Sequence, residues 1–205
     1  MKVLLINGSP NAKGCTYTAL SEVEKELNNQ GVETEIIHVG HKDIRGCIGC
    51  RSCKKTGKCV FDDIVNEVAL KFEDCDGIVV GSPVYYAGAN GTLVSFMDRM
   101  FYSTKADKRI KVGAAVVSCR RAGNTATFDI LNKYFTISQM PIVSSQYWNM
   151  VHGNNAEEVK QVVEGLQTMR TLGKNMAFLM KCIALGKEEY GLPEREDITF
   201  TNFIR

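Results

Sequence analysis

The chain has 205 residues, 44% hydrophobic and 23% charged, enough to bury a sizeable core without disulfides and too apolar for wholesale disorder. Lys and Arg number 25 against 23 Asp and Glu, a balance too even to imply a nucleic-acid or anionic-membrane partner. Apolar runs such as 3–6 and 114–117 are only strand-sized, so no membrane span and no signal peptide are expected.

A cytoplasmic location follows as an expectation. Its eight cysteines then read as reduced thiols or metal ligands rather than disulfides. Strand-like and helical patterns alternate along the chain. Position 2–7 reads as a strand, 17–29 as a helix with Leu20, Val23 and Leu27 on one face, and 33–39 as a second strand. A helix over 62–72, a strand over 77–83, a helix over 93–102 and a strand over 112–118 follow. The pattern closes with a helix over 124–135, a fifth strand over 142–148 and a long helix from about 155 to 188. In that last helix Val159, Val162, Val163, Leu166, Met169, Leu172 and Met176 align. Five strands with a helix after each predict an α/β chain with a parallel sheet covered on both faces, a doubly wound three-layer sandwich. One domain is expected over 1–205, with a Cys-rich loop at 41–61 as the break in the alternation.

Three loops follow strand ends on one edge of such a sheet, where open α/β sheets bind ligands. Gly8-Ser9-Pro10-Asn11-Ala12-Lys13-Gly14-Cys15-Thr16 offers small and hydroxylated residues at a helix start, where backbone N–H groups and the helix dipole favour an anion. It is neither G-x-G-x-x-G nor G-x-x-x-x-G-K-[ST]. An ordinary turn with Thr16 as N-cap is the plainer alternative. Gly81-Ser82-Pro83-Val84-Tyr85-Tyr86-Ala87-Gly88 places a rigid turn and two aromatics where a flat ring could lie, or where tyrosines simply cover the sheet edge. Ser118-Cys119-Arg120-Arg121-Ala122-Gly123 adds two arginines suited to anionic groups or to ring stacking, with plain solvation as the alternative.

Gly8-Ser9-Pro10 with Gly14-Cys15-Thr16, followed by Gly81-Ser82-Pro83-Val84-Tyr85, resembles the flavodoxin-like NADPH-dependent FMN reductases, and the resemblance runs through Gln146-Tyr147-Trp148-Asn149. It implies a flavodoxin-like sandwich with a five-stranded parallel sheet in the order 2-1-3-4-5. It implies FMN, with FAD as an alternative, and NAD(P)H as donor. The phosphate would lie on Ser9, Asn11, Gly14, Cys15 and Thr16, and the ring on Pro83, Val84, Tyr85 and Tyr86. Ser118, Arg120, Arg121 and Gly123 would form a third wall. Cys15 stands where the family usually has Asn. A homodimer or homotetramer is also implied.

Cys47, Cys50, Cys53 and Cys59 give C-x2-C-x2-C-x5-C, with Gly46, Gly49 and Gly57 allowing tight turns. Four thiolates suit a [4Fe–4S] cluster or tetrahedral zinc, although zinc sites usually separate two Cys pairs by a longer spacer. The spacing also departs from the ferredoxin run, which has x3 and a proline at its fourth Cys. A compact four-Cys insertion after strand two resembles the iron–sulfur flavoproteins, which implies one [4Fe–4S] cluster on these four residues. Unmetallated thiols in a surface loop are the alternative. Cys75, Cys119 and Cys182 read as buried small hydrophobes, and His152 as a loop histidine. Asp62-Asp63 reads as a helix start, and Trp148 as a flavin shield or a core residue.

The sequence therefore predicts an FMN-dependent NAD(P)H oxidoreductase that passes electrons to a cluster or to a small-molecule or protein acceptor. The alternatives are a clusterless reductase of quinones, azo or nitro compounds, a non-enzymatic electron carrier, and a Cys-rich regulator.

Overall fold

Burial on both faces sets the centre of the sheet. β1 (Lys2–Asn7) is fully buried from Val3 to Asn7. It pairs in parallel with β2 (Glu33–His38) on one side and β3 (Gly77–Tyr85) on the other. The end of β3 turns back as the two-residue antiparallel strand β4 (Gly88–Ala89), which the sequence pattern did not signal. β5 (Val112–Cys119) joins β3 in parallel, and β6 (Met150–His152) joins β5. The order β2-β1-β3-β5-β6 is the expected 2-1-3-4-5 order with the hairpin strand set aside. This computed structural model describes residues 1–201 and 203; the last residue of the expected domain, Arg205, lies outside them.

Helices cover both faces: α1 (Cys15–Asn29), α2 (Ser52–Thr56), α3 (Ile64–Glu73), α4 (Gly91–Ser103), α5 (Asn124–Ile137), α6 (Ala156–Gln161) and α7 (Val163–Tyr190). Strand side chains alternate between the two layers, as the period of two requires. Leu4, Ile6, Ile78, Val80 and Val117 pack with Phe72, Phe96, Met100 and Phe135 of α3, α4 and α5. Val3, Leu5, Val79, Ala114 and Val116 pack with Leu20, Val23 and Leu27 of α1 and Met169, Leu172 and Met176 of α7. Among the described residues, no helix is long and apolar enough to cross a membrane.

Three expectations need correction. The fifth strand is not 142–148: Ile142 makes one isolated bridge to Gly113, the chain leaves the edge, and pairing resumes at Met150. Polar residues there find partners off the ladder, as when Ser145 Oγ donates to the Thr168 carbonyl at 2.7 Å. The Asn149 side-chain amide then replaces a ladder bond by donating to the Ala115 carbonyl at 3.0 Å. The long C-terminal helix breaks at Val162 (φ −82, ψ 79), beside a β-branched pair whose side chains lose χ1 freedom in a helix. Cys182 is exposed, whereas Cys75 and Cys119 are buried as expected. Burial pushes the Cys75 thiol up to about 11, and its S–H donates to the Lys71 carbonyl at 3.1 Å.

Candidate functional site

The first loop is tied at both arms by the residue that ends β1. Asn7 Oδ1 accepts the Ser9 N–H at 3.1 Å, and Asn7 Nδ2 donates to the Ala12 carbonyl at 3.2 Å. Ser9 Oγ accepts from the Asn11 N–H at 3.2 Å. Two further bonds fasten the loop to its neighbours: Gly8 N–H to the Gly81 carbonyl at 2.9 Å, and Asn90 Nδ2 to the Gly8 carbonyl at 2.6 Å. From the other side, His38 Nε2 lies 2.7 Å from the Ser9 carbonyl oxygen. Gly40 presses so closely that a Cβ there would lie 2.3 Å from the Gly8 carbonyl oxygen and from the Ser9 carbonyl group.

The loop delivers an open helix end. Gly14 is the N-cap of α1, with no side-chain cap bond and no acidic residue in the first turn. Asp63, Asn90 and Asn155 cap α3, α4 and α6 with their side chains. The leading N–H groups of α1 thus face the cavity without a capping side chain, the arrangement that suits an anion. Thr16 is therefore not the N-cap; it lies inside the first turn, buried, with Oγ1 2.8 Å from Ser118 Oγ. Burial pushes the Cys15 thiol up, so it stays protonated, and it donates to the Gly153 carbonyl at 3.5 Å.

Ser9, Asn11, Gly14, Cys15, Thr16, Pro83, Val84, Tyr85, Ser118 and Arg120 all line one cavity of about 670 Å³. That volume suits a cofactor-sized ligand. Lys13 and Arg120 supply positive charge at its wall. Tyr86, Arg121 and Gly123 are not among its lining residues. Tyr86 and Ala87 form the hairpin turn between β3 and β4, both left-handed at φ 50 and 58. Such turns usually carry Asn-Gly, and a non-glycine residue there costs roughly 1–2 kcal/mol. Gly123, at φ 85, lets the third loop pass under this turn, since a Cβ would lie 2.8 Å from Ala87 Cα.

A second, smaller cavity gathers Cys47, Cys50, Cys53 and Cys59 with Ile48, Arg51, Val60, Phe61, Arg99 and Tyr102. All four cysteines are free thiols. Cys59 is the most firmly held. Its N–H donates to Asn66 Oδ1 at 2.9 Å, its carbonyl accepts from Asn66 Nδ2 at 3.1 Å, and its Sγ accepts from Arg99 Nε at 3.2 Å. Among the described residues, no three His, Cys, Asp or Glu side chains stand in metal-holding geometry. The donor chemistry fits a soft four-thiolate group, because four sulfurs share one largely apolar cavity with two arginines, of which Arg99 donates to Cys59 Sγ. The sulfurs are nevertheless not drawn together to ligating geometry.

Sequence patterns missed Asn7, His38, Gly40, Asn90 and Arg99, and the pair of Cys119 Sγ and His152 Nδ1 at 3.5 Å. A glycine directly after a strand end was the one available sign of Gly40. A further cavity of about 550 Å³ lies at the opposite sheet edge, near Met1, Asp76 and Val112. Three of its charged groups are engaged: Arg109 pairs with Asp107, and Lys111 caps the Glu73 carbonyl at 2.9 Å.

Comparison with known proteins supplies the context for these two cavities. Residues 1–155 match the sequence profile of the family described as NADPH-dependent FMN reductase. An iron–sulfur flavoprotein of Methanocaldococcus jannaschii is 36% identical over 191 residues, covering 89% of this chain and 99% of that protein. The solved NAD(P)H:quinone oxidoreductase of Methanothermobacter marburgensis is similar in fold, with a TM-score of 0.66 at 15% identity, over 86% of this chain and 96% of the other. A solved flavodoxin from the domain Archaea has a TM-score of 0.62 at 16% identity, over 88% of this chain and 99% of its own.

Proposed function

The chain belongs to the NADPH-dependent FMN reductase family and is a flavin-dependent NAD(P)H oxidoreductase, and from that premise we propose that it pairs FMN in the three-loop cavity with a [4Fe–4S] cluster on Cys47, Cys50, Cys53 and Cys59. The observation that carries this reading is α4. Its N-cap Asn90 grips the first loop through the Gly8 carbonyl, while Arg99, about 14 Å further along the helix, grips Cys59. One rigid element therefore serves both cavities. The proposed acceptor is a one-electron protein partner or a small molecule, and the proposed working unit is a homodimer or homotetramer.

Bound there, FMN would supply hydride acceptance from NAD(P)H and stepwise electron release, and the cluster would supply single-electron storage. In this reading the chain orients and balances charge. Ser9, Asn11, Thr16 and the first-turn N–H groups of α1 receive the phosphate, with Lys13 and Arg120 adding positive charge. The Cys15 S–H donates to the Gly153 carbonyl at the cavity wall. Pro83 and Val84 form an apolar wall with no side-chain donor, and Tyr85 stands at its open side. Ser118, held by Thr16, forms the third wall, and Gly123, under the hairpin turn, supports that loop from outside the cavity. Tyr86 and Arg121, which do not line the cavity, are proposed to meet substrate or a neighbouring subunit. No side chain is assigned as nucleophile, acid or base.

The test is anaerobic mixing of the purified flavoprotein with NADPH or NADH, followed by steady-state turnover with a one-electron acceptor. Flavin bleaching within the mixing experiment and sustained NAD(P)H oxidation are expected. Flavin that NAD(P)H does not reduce would leave a carrier that takes electrons from a protein. The clusterless reductase is the second reading, since no three of these thiols stand in metal-holding geometry among the described residues. It predicts the same NAD(P)H oxidation from a protein without iron.

A further inference from the structure

Arg99 is an unusual residue to find with its side chain fully buried, since arginine is rarely hidden unless paired. Each of its five N–H donors has an acceptor. Nε donates to Cys59 Sγ at 3.2 Å; Nη1 donates to the Arg45 carbonyl at 3.1 Å and to Asp63 Oδ2 at 2.7 Å. Nη2 donates to the Phe61 carbonyl at 3.3 Å and to Asp63 Oδ1 at 2.9 Å. The guanidinium carbon also lies 5.0 Å from the centre of the Phe61 ring. Asp63 is committed elsewhere too, accepting the Val65 N–H at 3.0 Å as the cap of α3.

Holding a loop does not require a charge. Burying a cation costs several kcal/mol before any partner is found, and apolar packing can serve as well. The carboxylate of Asp63 and two carbonyls would occupy four of the five donors. The fifth goes to sulfur, the weakest neutral acceptor available, and a bond of that kind strengthens when the sulfur carries negative charge. Lysine could not reproduce the planar fork that reaches Asp63 and Cys59 together.

We infer that Arg99 is the positioning residue of the four-thiolate site: it fixes Cys59 Sγ in the cavity shared with Cys47, Cys50 and Cys53 and stabilises the negative charge of the group bound there. This inference rests on the proposed [4Fe–4S] cluster. Hydrogen bonds to the sulfurs and local charge set the potential of such clusters, with the reduced, more negative form favoured by donors and cations. Arg99 therefore raises the cluster potential, and Asp63 moderates that effect by pairing with it.

The experiment is a redox titration of the anaerobically purified protein, reading cluster and flavin midpoints separately by electron paramagnetic resonance and visible absorption. Arg99→Gln is expected to shift the cluster midpoint negative, Arg99→Lys to give a smaller negative shift, and Asp63→Asn to shift it positive. The flavin midpoint stays in place and serves as the control for an intact fold. Opposite signs from the two partners are an electrostatic signature that mere loosening of the loop would not produce. Should Arg99→Gln fail to fold, Arg99→Lys and Asp63→Asn carry the same comparison. A wild-type protein with about four irons whose midpoint is unmoved by these variants, or moved in one direction by all of them, overturns the role of Arg99 alone. A wild-type protein that binds no iron overturns the cluster reading and this inference with it.

Discussion

Alanine at position 40 is expected to weaken FMN binding by about a hundredfold, or about 2.7 kcal/mol. The added Cβ would lie 2.3 Å from the Gly8 carbonyl oxygen and from the Ser9 carbonyl group, which are backbone atoms that no rotamer change can move. The loop cannot slide away, because Asn7, Asn90 and the Gly8–Gly81 bond hold it from three directions. The segment after β2 must then shift or the loop's ties must break, and overpacking of this kind costs about 1–3 kcal/mol in stability as well. Flavin fluorescence titration of the apoprotein measures the affinity, and a thermal melt measures the stability. Gly91→Ala is the control, since a Cβ there meets nothing within 4 Å: it should leave FMN affinity unchanged and the melt unchanged or slightly raised. A Gly40→Ala protein that binds FMN as tightly as the wild type would mean that the first loop does not hold the phosphate.

Alanine at Cys53 is expected to bring the iron content from about four per chain to near zero, because a cubane on four protein thiolates loses a ligand outright. FMN should stay at its wild-type level, since the cysteine cavity and the three-loop cavity share no lining residue. Cys182→Ala, on the exposed face of α7, should change neither quantity. Metal and flavin analysis of the three proteins side by side decides the matter. Unchanged iron in Cys53→Ala would place any metal elsewhere.

The parts of this architecture that were legible beforehand are those written locally. Runs such as 3–6 and 114–117 are buried on both faces, and their continuous apolar character marked the central strands correctly. The three ligand-edge loops were visible because glycine, proline and small polar residues cluster at strand ends. The fifth strand reads as 142–148 because Ile142, Val143, Tyr147 and Trp148 have strand-forming side chains, yet the intervening Ser144-Ser145-Gln146 bonds to α7 instead of the ladder. Residues that act through distant partners gave no local sign. Asn90 reaches Gly8 across 82 positions, and Arg99 reaches Cys59 across 40. Asp63 shows the boundary most clearly: its place as a helix start could be seen in the sequence, but its pairing with Arg99 could not.

The most direct test of the two-centre account is the anaerobic purification of the wild-type chain, with FMN, iron and acid-labile sulfide determined on the sample whose visible spectrum is recorded. The account predicts about one FMN, four irons and four sulfides per chain, with flavin bands above a broad thiolate-to-iron absorption. Flavin without iron would contradict the cluster, and a chain that takes up no flavin even on reconstitution would contradict the whole account.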